Sequence, residues 1–273
     1  MRSVVLLLAV TLAPALVWAD DPKFEYRAEK PAEKPWVYKA NASLGVTYVT
    51  GNSESLGVSA SALGSVKHYK NAFELFAQGA YAKTGTSTLG NGGPIDSEKV
   101  AASNWLARLR YDRFLTERNS LFASYGMSGD PLAGYLYRVE PQIGYSRLFV
   151  KSDDTLLRGE LGYDYTFERY VIGTDPRQRD FHSLRAFVGI EHKLTPFAGF
   201  LEGFEVLWAL NDTNHVRVNS LSSLSATISK HVVLKVNLTV KANFDPPNRP
   251  VAIGGTYGVV DTVLDVALGV TFL

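Results

Sequence analysis

Residues 137–146 read Tyr-Arg-Val-Glu-Pro-Gln-Ile-Gly-Tyr-Ser. In an extended chain Arg138, Glu140, Gln142, Gly144 and Ser146 share one face, and Tyr137, Val139, Pro141, Ile143 and Tyr145 share the other. A period of two is the mark of a β-strand, because successive side chains point to opposite faces. Helical spacing would mix the two sets. Residues 157–167 repeat the pattern, with Arg158, Glu160, Gly162, Asp164 and Thr166 opposite Leu157, Leu161, Tyr163, Tyr165 and Phe167. So do residues 234–241, where Lys235, Asn237, Thr239 and Lys241 oppose Leu234, Val236, Leu238 and Val240.

Working outward, twelve such segments are found: 39–50, 55–68, 72–83, 99–113, 120–128, 135–149, 156–169, 182–193, 203–211, 216–229, 232–243 and 260–273. Most are near the length that a tilted strand needs to cross a bilayer, about 9–11 residues. The connections are sorted by length. The odd-numbered ones include the long Thr84–Glu98, Tyr170–Phe181 and Phe244–Val259, rich in Gly, Pro, Asp and Asn. Even-numbered ones are mostly brief: Tyr69-Lys70-Asn71, Leu115–Asn119, Val150–Thr155 and Lys230-His231. Long loops on one side and short turns on the other are the habit of outer-membrane barrels, whose termini lie on the short-turn, periplasmic side.

Polarity points the same way. The apolar faces carry aromatics towards their ends, with Tyr48, Tyr81, Tyr135 and Tyr137 at one rim and Tyr111, Phe114, Tyr145 and Phe272 at the other. This is the double girdle of a lipid-facing surface. Charges on those faces, Arg113, Arg147 and Arg169, fall at strand ends, where they can reach the interface. The opposite faces carry small residues and balanced charge. The expected fold is an all-β, transmembrane, antiparallel up-and-down β-barrel of about twelve strands in the outer membrane of a Gram-negative envelope.

Composition is compatible with this and excludes other classes. Lys and Arg number 28 against 27 Asp and Glu, so no field of one sign exists to attract nucleic acid. Cysteine is absent, which removes disulfides, thiolate zinc sites and thiol nucleophiles. Arg2, the apolar run Val4–Val17 and Val17-Trp18-Ala19 form a signal-peptide pattern over residues 1–19. Residues 20–38, rich in Lys, Glu and Pro, read as a periplasmic linker with no core. The barrel is then 39–273.

Several short cues recur in order along the chain: Gly45 with Thr50-Gly51-Asn52-Ser53; Tyr111-Asp112; Asp130, Leu132 and Arg138 ahead of Gly144-Tyr145; and Asp245-Pro246-Pro247 before Asp261. From about Trp36 to the end the sequence resembles the YdiY-like salt-induced outer-membrane proteins, a domain-of-unknown-function family. The resemblance implies the barrel fold and no established activity. The terminal strand alternates Leu264, Val266, Leu268, Val270 and Phe272. Exported barrels resembling this finish on an aromatic that the assembly machinery reads, which makes Phe272 the candidate assembly signal, with Leu273 trailing it. The implied partners are membrane lipid, lipopolysaccharide and that machinery.

The candidate functional residues line the polar faces: Arg108, Arg110, Arg138, Glu140, Arg158, Glu160, Asp164, Arg185, Lys235 and Asp265, with Arg217, Lys241, Glu74, Asp112, Glu168, Glu191 and Glu205 beside them. Acids and bases nearly cancel. An anion-selective pore calls for a basic excess, so a lumen filled by paired charges is favoured over a small, weakly selective passive pore. Enzymatic chemistry finds little support. His68, His182, His192, His215 and His231 stand apart, with no metal spacing. The distant third reading is an outer-membrane phospholipase using Ser and His. His182-Ser183 is the adjacent pair, yet neighbours in a strand face opposite sides. No cofactor is implied.

Overall fold

The computed structural model describes residues 36–49, 53–90, 93–229 and 232–271. The expected signal peptide, most of the linker and Phe272 lie outside these residues. Twelve strands follow one another: β1 (Val37–Val49), β2 (Ser53–His68), β3 (Asn71–Gly90), β4 (Gly93–Phe114), β5 (Asn119–Asp130) and β6 (Tyr135–Lys151). β7 (Thr155–Tyr170), β8 (Gln178–Thr195), β9 (Ala198–Ala209), β10 (Val216–Thr227), β11 (Val232–Asn243) and β12 (Val260–Thr271) complete the set. A 3-10 turn, Pro131–Ala133, capped by the Asp130 carboxylate, joins β5 to β6. Each strand pairs antiparallel with the next, and the order returns on itself as a closed barrel. The seam is narrow. β1 pairs with β2 along its whole length, but with β12 at Asn41–Thr271, Ala42–Val270 and Ser43–Gly269 alone among the described residues.

The polarity is the reverse of a soluble barrel. On β7, Glu160 is 3% exposed while its neighbour Leu161 is 62% exposed. The same holds round the ring: Leu75, Leu109, Leu121, Ile143, Leu184, Val188, Phe204, Leu224 and Val236 are exposed, whereas Glu74, Asp112, Glu140, Asp164, Arg185, Glu205 and Arg217 are buried. Water would penalise so continuous an apolar exterior, and hydrocarbon would not. The side chains therefore sort for a solvent of lipid outside and a polar, enclosed space within.

Several strand boundaries differ from those expected. β1 begins at Val37, two residues inside the expected linker. The expected loop Thr84–Glu98 is a continued hairpin, with Thr84 opposite Lys99 and Gly90 opposite Gly93. Alternate threonines at 84, 86 and 88 keep the chain extended, and Asn-Gly at 91–92 in the sequence is a hairpin signal. β8 starts at Gln178, which shortens the loop expected over Tyr170–Phe181. Tyr135 is buried inside and not on the outer girdle, because register shifts on both sides of it turn the strand. The interior is also less polar than its alternation suggested. Phe76 packs with Leu63 and Leu106, Leu148 packs with Leu156, and Phe122, Phe181 and Phe187 are buried as well.

Val236 and Asn237 on β11 test the two faces. Val236 is exposed outside, and Asn237 accepts a hydrogen bond from Ser223 Oγ at 2.6 Å. Arg at Val236 is expected to destabilise by roughly 2–4 kcal/mol if the position is near the midplane, and Arg at Asn237 by less. Reversible folding into lipid vesicles measures both, and the opposite order would mean that the faces are inverted.

Candidate functional site

The strand alternation sends long charged side chains inward from strands between β4 and β10, and they meet in two layers. The layer nearer the short turns centres on Glu160. Its carboxylate accepts from Arg110 Nη2 at 2.8 Å and Nη1 at 3.2 Å, and from Arg185 Nη1 at 2.8 Å. Arg158 Nε lies 3.7 Å away. Arg110 is also held by Asp112, with Nε to Oδ2 at 2.8 Å and Nη2 to Oδ1 at 3.0 Å. Arg185 Nε bonds Glu205 at 2.5 Å, and Glu205 accepts from Asn219 at 2.9 Å. Arg110 is on β4 and Glu160 on β7, with β5 and β6 between them in the sheet, so the pair crosses the lumen.

Phe122 explains how these arginines are aimed. Its ring lies against Gly144 on the neighbouring strand, where an added Cβ would stand 2.7 Å from ring carbons. Lying there, it presents its face to Arg110 at 4.2 Å and Arg185 at 5.4 Å from the ring centre. A guanidinium over an aromatic face is attracted by the ring quadrupole, the more so where water is excluded.

The second layer, towards the longer loops, centres on Arg217 of β10. It donates to Glu140 of β6 at 2.7 Å and to Thr166 Oγ1 of β7 at 2.6 Å, and lies 3.5 Å from Asp164. Asp164 accepts from Thr166 at 2.6 Å and from Gln142 at 2.9 Å. Arg138 pairs with Glu168 at 2.6 Å, whose other oxygen accepts from Tyr170 at 2.7 Å. Again the main pair crosses the lumen, since β7, β8 and β9 separate Arg217 from Glu140 in the sheet.

The candidate residues thus divide. Arg110, Arg138, Glu140, Arg158, Glu160, Asp164 and Arg185 join the two layers, with Arg217, Asp112, Glu168 and Glu205. Arg108 stands aside, 4.0 Å from Glu74. Lys235 is exposed near the short-turn end and belongs to neither layer. Asp265 lies on β12 opposite Asn237. His182 and Ser183 point to opposite sides: Ser183 is buried within, and His182 outside bonds the Tyr163 hydroxyl. The signal that sequence reasoning missed is the interior aromatics, since Phe122 and Phe187 sit in the polar register.

Above the second layer the mouth is covered. The β11–β12 connection, residues 244–259, crosses to the β7–β8 connection, where Val251 N donates to Gly173 O at 3.0 Å and Asn248 to Asp175 O at 3.0 Å. Its Tyr257 ring lies on Gly134, whose φ of 98° and missing Cβ both suit glycine alone. Arg179 clasps Asp245 of this connection at 2.5 Å and Asp212 of the β9–β10 connection at 3.0 Å. A cavity of about 430 Å³ remains beneath, floored by Arg138, Glu168 and Arg217 and walled by Pro247 and Tyr257.

The family described as protein of unknown function, DUF481, matches residues 42–272. The chain belongs to that family. It is 27% identical over 229 residues to the uncharacterized protein YdiY of Escherichia coli strain K12, covering 84% of this chain and 83% of that one. Solved structures that it is similar to include the CymD monoaromatic hydrocarbon channel, at 9% identity and a TM-score of 0.37 over 86% of each chain. An anion-selective porin from Comamonas acidovorans gives 10% identity and a TM-score of 0.40, over 87% of this chain and 99% of that chain. The translocator domain of autotransporter NalP from Neisseria meningitidis gives 11% and 0.43, over 87% and 88%.

The mouth carries a pH-sensitive element in His215, which precedes β10. Its ring is buried and stacks on Phe181 at 3.7 Å. Burial first, and the Arg217 charge next, push its pKa down to about 4. Folding therefore favours the neutral ring. Its contribution is complete above the ordinary value of 6.5 and is lost as pH falls from there towards 4. That shift corresponds to about 3 kcal/mol. Compared with His215→Phe, which keeps the stack and cannot charge, the natural protein is expected to lose stability over this window. Unfolding measured against pH in both proteins checks it, and parallel curves would contradict it.

Proposed function

We propose that this protein is a non-enzymatic outer-membrane barrel with a structural or stress-related role in the envelope, its lumen filled by its own paired charges. One observation carries the reading. Arg110–Glu160 and Arg217–Glu140 join strands that are not neighbours, so each spans the lumen instead of lining its wall. Barrels of about eight strands are narrow enough for side chains to fill, and those of 16–18 leave an aqueous channel. Twelve strands fall between, and the length of arginine and glutamate, with the interior phenylalanines, supports filling. The apolar exterior supports a place in a bilayer, with lipid around it and lipopolysaccharide at the loop side. The assembly machinery would read the terminal strand.

A small, weakly selective pore is the alternative. Ser128 Oγ and Ser183 Oγ are buried polar atoms with no partner among the described residues, and such atoms favour a thread of water through the filling.

Single-channel current with reversal potentials in a salt gradient tests the reading. The natural protein is expected to show small, nearly unselective conductance. Arg138, Glu140, Arg158 and Glu160 changed together to Ala are expected to widen the path and weaken the fold, because Glu168, Arg217, Arg110 and Arg185 lose counter-charges. Large, ion-selective conductance in the natural protein would promote the pore instead.

A further inference from the structure

The outer surface carries a trough at the short-turn rim that the lumen does not use. Tyr38, Val66, Phe73 and Tyr111 stand opposite one another across β1 to β4 on the outward face. Valine is the shortest of the four, so the row dips at β2. The dip is walled by paired rings. Trp36 stacks on His68 at 4.1 Å between ring centres on one side, and Phe73 meets Tyr111 at 4.8 Å on the other. The resulting trough encloses about 520 Å³ and is almost wholly apolar. Beyond Val66 the outer face of β2 continues with Gly64, where even an added Cβ meets nothing within 4 Å, so the trough stays open towards mid-strand.

Its rim-side end is basic. Asn71 lines the trough and accepts from both Tyr111 Oη and Arg113 Nη1 at 2.8 Å, which fixes the guanidinium there. The remaining N–H groups of Arg113 have no acceptor among the described residues, and Lys70 on the adjoining turn has no carboxylate partner there either. Arg113 held on the trough's Asn71, and Lys70 one residue before it, with no carboxylate partner among the described residues, complement one kind of molecule, an anionic head on a hydrocarbon tail. Fixed guanidinium N–H groups suit the paired oxygens of a phosphodiester.

We infer that this trough is a binding site for a glycerophospholipid of the periplasmic leaflet, with its phosphate on Arg113 and Lys70 and one acyl chain between the Trp36–His68 and Phe73–Tyr111 pairs. The inference rests on the outer-membrane reading above, which sets the short turns at the periplasmic face. The barrel's own segment 20–35 is a poorer occupant, since charged residues dominate it.

Native mass spectrometry of the full chain, released from outer membranes in mild detergent, tests the site. The natural protein is expected to retain one phospholipid. Val66→Trp, which fills the floor, is expected to lower occupancy by displacing the acyl chain, and the pair Lys70→Gln with Arg113→Gln by about tenfold, the effect of losing one charge-assisted hydrogen bond or more. Arg147→Gln, elsewhere on the same rim, is expected to keep it. Heat-modifiable gel mobility establishes that each variant is folded, and the two exposed basic residues keep the test open should Val66→Trp fail to fold. Equal retention by all variants, an adduct with the mass of lipopolysaccharide, or lipid bound only after removal of residues 20–35 would each overturn the site. Membrane fractionation separates the two levels. Absence from the outer membrane defeats the functional reading, whereas presence there without retained phospholipid defeats this inference alone.

Discussion

A strand in hydrocarbon can satisfy its backbone N–H and C=O groups only through other strands, so the sheet must close on itself. Closure then dictates the rest of this molecule. Alternation puts one side chain in two outward against lipid and the next inward, and the inward set of twelve strands converges on a confined space. Charges there have little water to turn to. An unpaired buried ion is costly, whereas one held by several partners with good geometry is tolerated. Glu160 beneath Arg110, Arg185 and Arg158, and Arg217 above Glu140 and Asp164, are two solutions to that one problem. The near balance of acid and base in the inward register follows from the same need.

The period-two pattern made the strands legible, because each residue's face depends only on its own position. β11 and the start of β6 were placed to the residue. Errors arose where local chemistry and pattern part company. Thr84 to Glu98 carries glycine and proline like a loop, yet pairs as a hairpin. A register shift reverses the face of Tyr135, and no periodicity can announce it. That Arg110, Glu140, Glu160 and Arg217 take the inward face follows from alternation, whereas their pairing does not. Glu140 and Arg217 are 77 residues apart, and which arginine reaches which acid depends on barrel curvature and stagger. Phe122 was hidden for a related reason, since an aromatic among small polar residues looks like noise until Gly144 opens a place for it.

The two ends of the barrel differ in kind. At the loop end, polar contacts converge on the 244–259 connection, which Arg179, Gly173, Asp175 and Gly134 hold over the mouth. At the short-turn end the outer rim is aromatic and basic, and its chemistry faces sideways into lipid.

The central claim is that charges on strands that are not neighbours bind one another through the lumen. A double-mutant cycle on Glu140→Gln and Arg217→Met, read as folding free energy in lipid vesicles, tests it most directly. The account expects each single change to be costly and the double change to cost less than their sum, with a coupling of about 1–3 kcal/mol. Additivity within about 0.5 kcal/mol would mean that the two side chains do not meet, and that the lumen is held open or closed by something else.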